Sequence, residues 1–195
     1  MSSIRPTVRL VMPSGQQGLQ CASWGVALTP FGQSVAVWAD AGLLALWLAT
    51  DDPEPAMSFV QARHAQAMGS GDSVLTTIRD DGSARVWCDR VFGVPPERAC
   101  PHATQPLDVV VSGTEFELTV WRALCEIPRG MVVTYSELAS AIGRPKAARA
   151  VGSAIGRNGV AVLIPCHRVV PGSGGVGQFR WGASVKRALI DWEAA

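Results

Sequence analysis

Thr134-Tyr135-Ser136-Glu137-Leu138-Ala139-Ser140-Ala141-Ile142-Gly143-Arg144-Pro145 is the stretch on which the fold turns. Thr134 and Glu137 have the spacing of a capping box, in which a hydroxyl and a carboxylate each satisfy an amide that a helix start leaves unpaired. Leu138, Ala141 and Ile142 are then expected to point inward. Gly143 ends this helix. Pro145 sits where a first-turn proline is tolerated, so another helix is predicted from there to about Arg157. Two short helices joined by a glycine-containing turn make a helix-turn-helix.

The flanks extend the pattern. Thr114-x-x-Glu117 is a second capping box, and Phe116, Val120, Ala123, Leu124 and Ile127 form an inward stripe until Pro128 stops the helix. In the helix after Pro145, Ala148, Val151 and Ile155 mark the inner face, while Arg149, Gly152, Ser153 and Gly156 share the outer one. An outer face with so little side chain can approach a nucleic-acid backbone closely and settle in a minor groove. It suits a second helix equally well, and spacing does not choose between them.

Beyond this helix, Val160, Val162, Leu163 and Ile164 are β-formers, expected to carry the chain as a strand to Pro165-Cys166-His167-Arg168-Val169. A thiol beside an imidazole can become a thiolate, because the neighbouring base accepts the proton. The bland alternative is a small buried hydrophobe. On the last helix Val185, Leu189 and Trp192 make an inward stripe with Glu193 on the same side. That carboxylate either partners His167 or is a solvated terminal residue. Asn158-Gly159 reads as a turn.

The N-terminal half has different signals. Val26 to Leu28, Val35 to Trp38 and Leu43 to Leu48 read as strands, with Asp40-Ala41-Gly42 turning between the last two. Pro53 to Met68 reads as a helix with Met57, Val60, His64 and Met68 on one side, His64 being expected partly exposed rather than a ligand. Residues 69–106 hold Asp80-Asp81-Gly82, Pro95-Pro96 and Pro101, so only short pieces are expected there.

Composition bounds the class. The 195 residues are 48% apolar and 17% charged, enough for a real core, and a net charge of +1 means that any nucleic-acid surface must be local. No secretory leader or apolar run of spanning length is visible, which predicts a cytoplasmic protein without membrane contact. Cys21, Cys88, Cys100, Cys125 and Cys166 are an odd set with no CxxC pair, as in a reducing compartment. Cys88, Cys100 and His102 have metal-ligand chemistry at loose spacing, and neither a metal nor another cofactor is expected.

From Gly113 to Glu193 the chain resembles the O6-alkylguanine-DNA alkyltransferases, the methylated-DNA–protein-cysteine methyltransferases. The matching motifs are Gly113-Thr114, Val120-Trp121, Ile127-Pro128, Thr134-Tyr135, Arg149-Ala150-Val151-Gly152, Asn158 and Ile164-Pro165-Cys166-His167-Arg168-Val169-Val170. The fold implied is α/β: a small N-terminal α/β domain with a short β-sheet over residues 1–105, and a mostly helical C-terminal domain of winged helix-turn-helix type over 106–195. The activity implied is single-turnover repair, in which the alkyl group on guanine O6 moves to Cys166, with O4-alkylthymine as a further candidate substrate. By the same resemblance Cys166, His167, Glu193 and Asn158 serve catalysis. Tyr135, Arg149, Gly152, Ser153, Phe179, Arg180 and Lys186 would contact DNA or the flipped base, with Arg149 filling the space it leaves. The partner would be double-stranded DNA, gripped through its minor groove by a monomer. Two positions depart from the pattern: Phe179 stands where relatives commonly have tyrosine, and Gly159 where proline is common. The rival function is a non-catalytic sensor of alkylated DNA, against which Cys166 argues.

Overall fold

The computed structural model describes residues 8–11, 21–68, 75–93 and 106–195. The chain divides into two compact units, one ending at Ser112 and the other starting at Gly113. Residues 106–112 thus lie with the N-terminal unit.

In the first unit, hairpin signals become β2 (Cys21–Thr29), β3 (Gly32–Ala39) and β4 (Gly42–Trp47), joined antiparallel in sequence order. Val35 and Val37 are opposite Val26 and Trp24, and this face packs on Ala56 and Val60 of α1 (Glu54–Met68). The opposite face of β2 carries Gly25, and helix α2 (Asp81–Phe92) packs there. A Cβ on Gly25 would lie 2.4 Å from the Asp80 carbonyl oxygen and 2.8 Å from the Ala84 Cβ, so the missing side chain is what admits the helix. Three parallel pairings complete a sheet of order β1-β6-β4-β3-β2-β5, with β1 at Val8–Val11, β5 at Thr76–Arg79 and β6 at Leu107–Val110.

Two expectations for this unit need correction. His64 is buried, because it lies one turn from Val60 on the sheet-facing side of α1. The stretch read as short pieces contains the twelve-residue α2. Asp80 there is an N-cap whose side chain accepts from the Ser83 amide at 3.0 Å, so the acidic cluster starts a helix instead of breaking one. Cys100 and His102, the remainder of the loose metal-ligand set, lie outside the described residues. Among the described residues no cluster of three metal-ligating side chains occurs, and no helix is long and apolar enough to cross a membrane.

The second unit holds α3 (Glu115–Cys125), α4 (Tyr135–Ala141), α5 (Ala148–Gly156) and α6 (Ala183–Ala194). Both capping boxes form, at Thr114/Glu117 and at Thr134/Glu137. A short parallel pair, β7 (Val133–Thr134) with β8 (Val169–Val170), ties the start of α4 to the end of the Cys166 turn. Gly143, at φ +71°, closes α4: its amide donates to Ser140 and that of Arg144 to Ala139, which satisfies the last carbonyls. Pro145 and Lys146 therefore lie in the turn, and α5 begins at Ala148 rather than at the proline. Ala141 faces solvent, since α4 buries Leu138 and Ala139 instead. The Trp121 indole donates to Ala154 O at 3.0 Å, fastening α3 to α5.

Candidate active site

The expected strand before Cys166 is a turn. Val162 has φ +68°, a conformation that a β-branched residue reaches only under constraint, and it breaks any extended path between Val160 and Pro165. The constraint comes from Asn158, which is buried. Its carboxamide nitrogen donates to Ile164 O at 2.9 Å and Val160 O at 3.3 Å, and its oxygen accepts from the Val160 amide at 2.9 Å. One side chain thus replaces the ladder that a strand would have had. Cys166 follows on a single 3-10 turn, Cys166–Arg168.

The same Asn158 nitrogen lies 3.0 Å from Cys166 Sγ. Cys166 is only 4% exposed, and burial pushes its thiol up to about 11, offset in part by the Asn158 hydrogen bond and by the charges of Lys186 and Arg180. At neutral pH the resting group is a thiol.

His167 is wholly buried, with Nε2 at 3.2 Å from Glu193 Oε1. Glu193 is buried as well, which excludes the solvated alternative. Burial alone would raise its carboxyl, but hydrogen bonds and charge from His167 and Arg168 hold it far below the usual carboxylate range. Arg168 grips it with two nitrogens, Nε to Oε2 at 2.8 Å and Nη2 to Oε1 at 2.9 Å, and also donates to Ile127 O. Sequence reasoning passed over Arg168. Only the turn explains its role: on a 3-10 turn, adjacent residues can reach one carboxylate from two sides.

Cys166 opens onto a pocket of about 740 Å³. Tyr135, Gly152, Asn158, Phe179 and Arg180 line it, with Trp181 and Ile155, neither assigned to a site from the sequence, as apolar wall. Phe179 meets Trp181 edge to face at 5.0 Å between ring centres. Tyr135 is half-buried. Burial raises its hydroxyl, as does the nearby Cys166 sulfur, and its ring lies 3.7 Å from where a Gly152 side chain would start. Lys186 does not reach the surface: its ammonium donates to Val169 O at 2.7 Å and sits 5.9 Å from the Phe179 ring centre. Arg149 and Ser153 are exposed on α5, outside the pocket. The Arg180 guanidinium is turned onto main chain, at Gly156 O (2.6 Å) and Asn158 O (3.1 Å).

Comparison with known proteins locates this unit. The family described as 6-O-methylguanine DNA methyltransferase, DNA binding domain, matches residues 115–195. The chain is similar to the bifunctional transcriptional activator/DNA repair enzyme Ada of Escherichia coli, 53% identical over 91 residues, 47% of this chain and 25% of that protein. It is also similar to the inducible methylated-DNA–protein-cysteine methyltransferase of Bacillus subtilis, 48% identical over 44% of this chain and 48% of that one. The chain therefore spans a quarter to about half of the length of these curated relatives. Among solved structures, that of the Mycobacterium tuberculosis O6-methylguanine methyltransferase is 29% identical and covers 89% of this chain and 93% of that one, with a TM-score of 0.63. Another holds the Mycobacterium tuberculosis protein in complex with DNA, at 28% identity, 88% and 92% coverage and a TM-score of 0.63. The motifs around the buried thiol and the agreement in fold along both units thus make residues 115–195 similar to the 6-O-methylguanine DNA methyltransferase, DNA binding domain, and the chain as a whole similar in fold to the O6-methylguanine methyltransferases.

Proposed function

We propose that the protein repairs DNA by accepting on Cys166 Sγ the alkyl group carried by O6 of a damaged guanine. The observation that carries this reading is the thiol itself: buried at the floor of a pocket of a size that takes a small ligand, held by the Asn158 amide, and followed in the chain by a buried imidazole that meets a carboxylate.

Burial keeps the resting thiol protonated, so the first step is removal of its proton. His167 is the acceptor, through a water in the relay implied by the family resemblance. Glu193 orients the ring and stabilises the charge it gains. The sulfur then attacks the alkyl carbon in line with O6. The S–C bond forms as the C–O bond breaks, the electron pair stays on the guanine, and a proton at N1 restores the base. The Asn158 donor steadies the sulfur while it is anionic. The product is a thioether that no neighbouring group hydrolyses, so each molecule acts once.

A guanine O6 inside a duplex is out of reach of a buried thiol, and the nucleotide must be extruded at a cost of a few kcal/mol. Helix α5 supports that role. Ser153 and Gly156 leave its outer face bare for a minor groove, Gly152 gives room to the Tyr135 ring, and exposed Arg149 can take the place of the extruded base. Tyr135 then stands at the pocket edge against the nucleotide, Phe179 gives the base an apolar wall, and Lys186 backs that ring. The protein works as a monomer in the cytoplasm on double-stranded DNA. Incubation with a duplex containing O6-methylguanine should add one methyl per molecule, mapped by mass spectrometry to Cys166. Methyl on another cysteine, or repeated turnover, would sink the reading.

A further inference from the structure

Arg180 stands out because the resemblance makes it a contact for DNA, yet its guanidinium, on an exposed residue, is bonded to the protein's own main chain. Nη2 donates to Gly156 O at 2.6 Å and Nε to Asn158 O at 3.1 Å. Gly156 is the last residue of α5 and Asn158 lies two beyond it, at the end where the helix's final acceptors have no partner within the helix and carry its negative dipole end. A planar fork of donors fits two such oxygens at once, which a single ammonium cannot do. What it holds is also the weak point of the site. Gly159 follows Asn158, and a glycine peptide is free to rotate unless something fixes it. The Asn158 side chain, whose position depends on that backbone, is the donor to Cys166 Sγ at 3.0 Å. Arg180 is itself part of the loop carrying Phe179 and Trp181, so its two bonds join the pocket wall to the turn behind the nucleophile.

We infer that Arg180 is a positioning residue of the transfer reaction: it locks the Asn158 backbone so that the carboxamide stays on the sulfur, and its charge offsets the carbonyl ends that would otherwise oppose a thiolate. This rests on the proposed alkyl transfer to Cys166. Its charge also acts on the sulfur in the direction of easier ionisation, together with that of Lys186. The consequence differs from that of a DNA contact, because a positioning role is needed whether the substrate is a duplex or a free base.

The test compares wild type, Arg180→Ala and Arg180→Lys. The rate of transfer to Cys166 is measured against pH with an O6-methylguanine duplex and with free O6-benzylguanine, and melting temperature is followed alongside. Arg180→Ala should slow both reactions by about tenfold and move the rise of rate to higher pH by about one unit, the two being equivalent in free energy. Arg180→Lys should recover part of the rate and most of the pH shift, since it keeps the charge but not the fork. Loss confined to the duplex would make Arg180 a DNA contact and overturn the inference, as would an unchanged pH profile. Should Arg180→Ala fail to fold, Arg180→Lys decides: wild-type rates on the free base overturn the inference, and a partial loss sustains it. If wild type itself transfers nothing to Cys166, it is the alkyl-transfer reading that fails.

Discussion

Glu193 is met by the His167 imidazole and the Arg168 guanidinium, which reach it from adjacent residues of one turn, and the division of labour there sets the order of effects on chemistry. His167 takes the proton, whereas Glu193 only orients and stabilises it. His167→Ala should move the pH at which Cys166 becomes reactive upwards, because burial already raises the thiol and the neighbouring base is gone, and Glu193→Gln should move it less. Alkylation rate against pH for the three proteins checks this, and a Glu193→Gln profile identical to wild type would remove the carboxylate from the relay. Cys166, His167, Asn158 and Glu193 were legible in sequence because a short motif and a helical stripe name them. Arg168 was given no role of its own, and the burial of Lys186 was not foreseen. Arg168 sits inside the motif, but nothing in its spacing says that it clamps Glu193. Lys186 carries a charge that argues for the surface, and only the tertiary fold supplies the Val169 carbonyl that lets it be buried.

Among the elements, α4 and α5 were the most legible, since capping boxes, a terminal glycine and a proline punctuate them chemically. Strand against turn before Cys166 was misread because β-propensity yields to local hydrogen bonding: Asn158 offered the backbone an alternative that four β-formers could not outweigh. α2 was missed because an acidic pair followed by glycine signals both a turn and an N-cap. Two predictions belong here. Arg149→Ala should slow repair in duplex DNA at least tenfold while largely sparing free O6-benzylguanine, because only the duplex must be opened; equal losses would assign Arg149 to the fold. Gly25→Ala should destabilise the N-terminal unit by about 1–3 kcal/mol, as overpacking does, because the clash is with main chain that cannot rotate away. Thermal unfolding of the variant measures it.

For the molecule as a whole, Cys88 and Cys166, which are buried, and Cys125, which is partly so, give stability a common dependence on pH. Burial raises Cys88 to about 12, and Cys125 and Cys166 to about 11. An unfolded cysteine ionises near pH 8.5, so above that value the unfolded chain gives up protons that the folded one keeps. The folded state should lose up to about 1.4 kcal/mol per thiol for each pH unit between roughly 9 and 11. Melting temperature should fall across that range, and Cys88→Ala should flatten part of the fall; an unchanged slope would mean that the thiol is not protected. Topology was the least legible scale. Antiparallel β2-β3-β4 announces itself through nearby turns, but β1 pairs with β6 from Val8↔Leu107 to Val11↔Val110, and no local signal links residues so far apart. That pairing has a consequence in time. During synthesis β4 is made with one flank open, and its neighbour β6 follows only after both α1 and α2. The growing chain therefore carries an unsealed sheet edge through most of the first unit's translation, exposed to the wrong partners. The helices around Cys166 are made later, from neighbours close in sequence, and can assemble almost as they emerge.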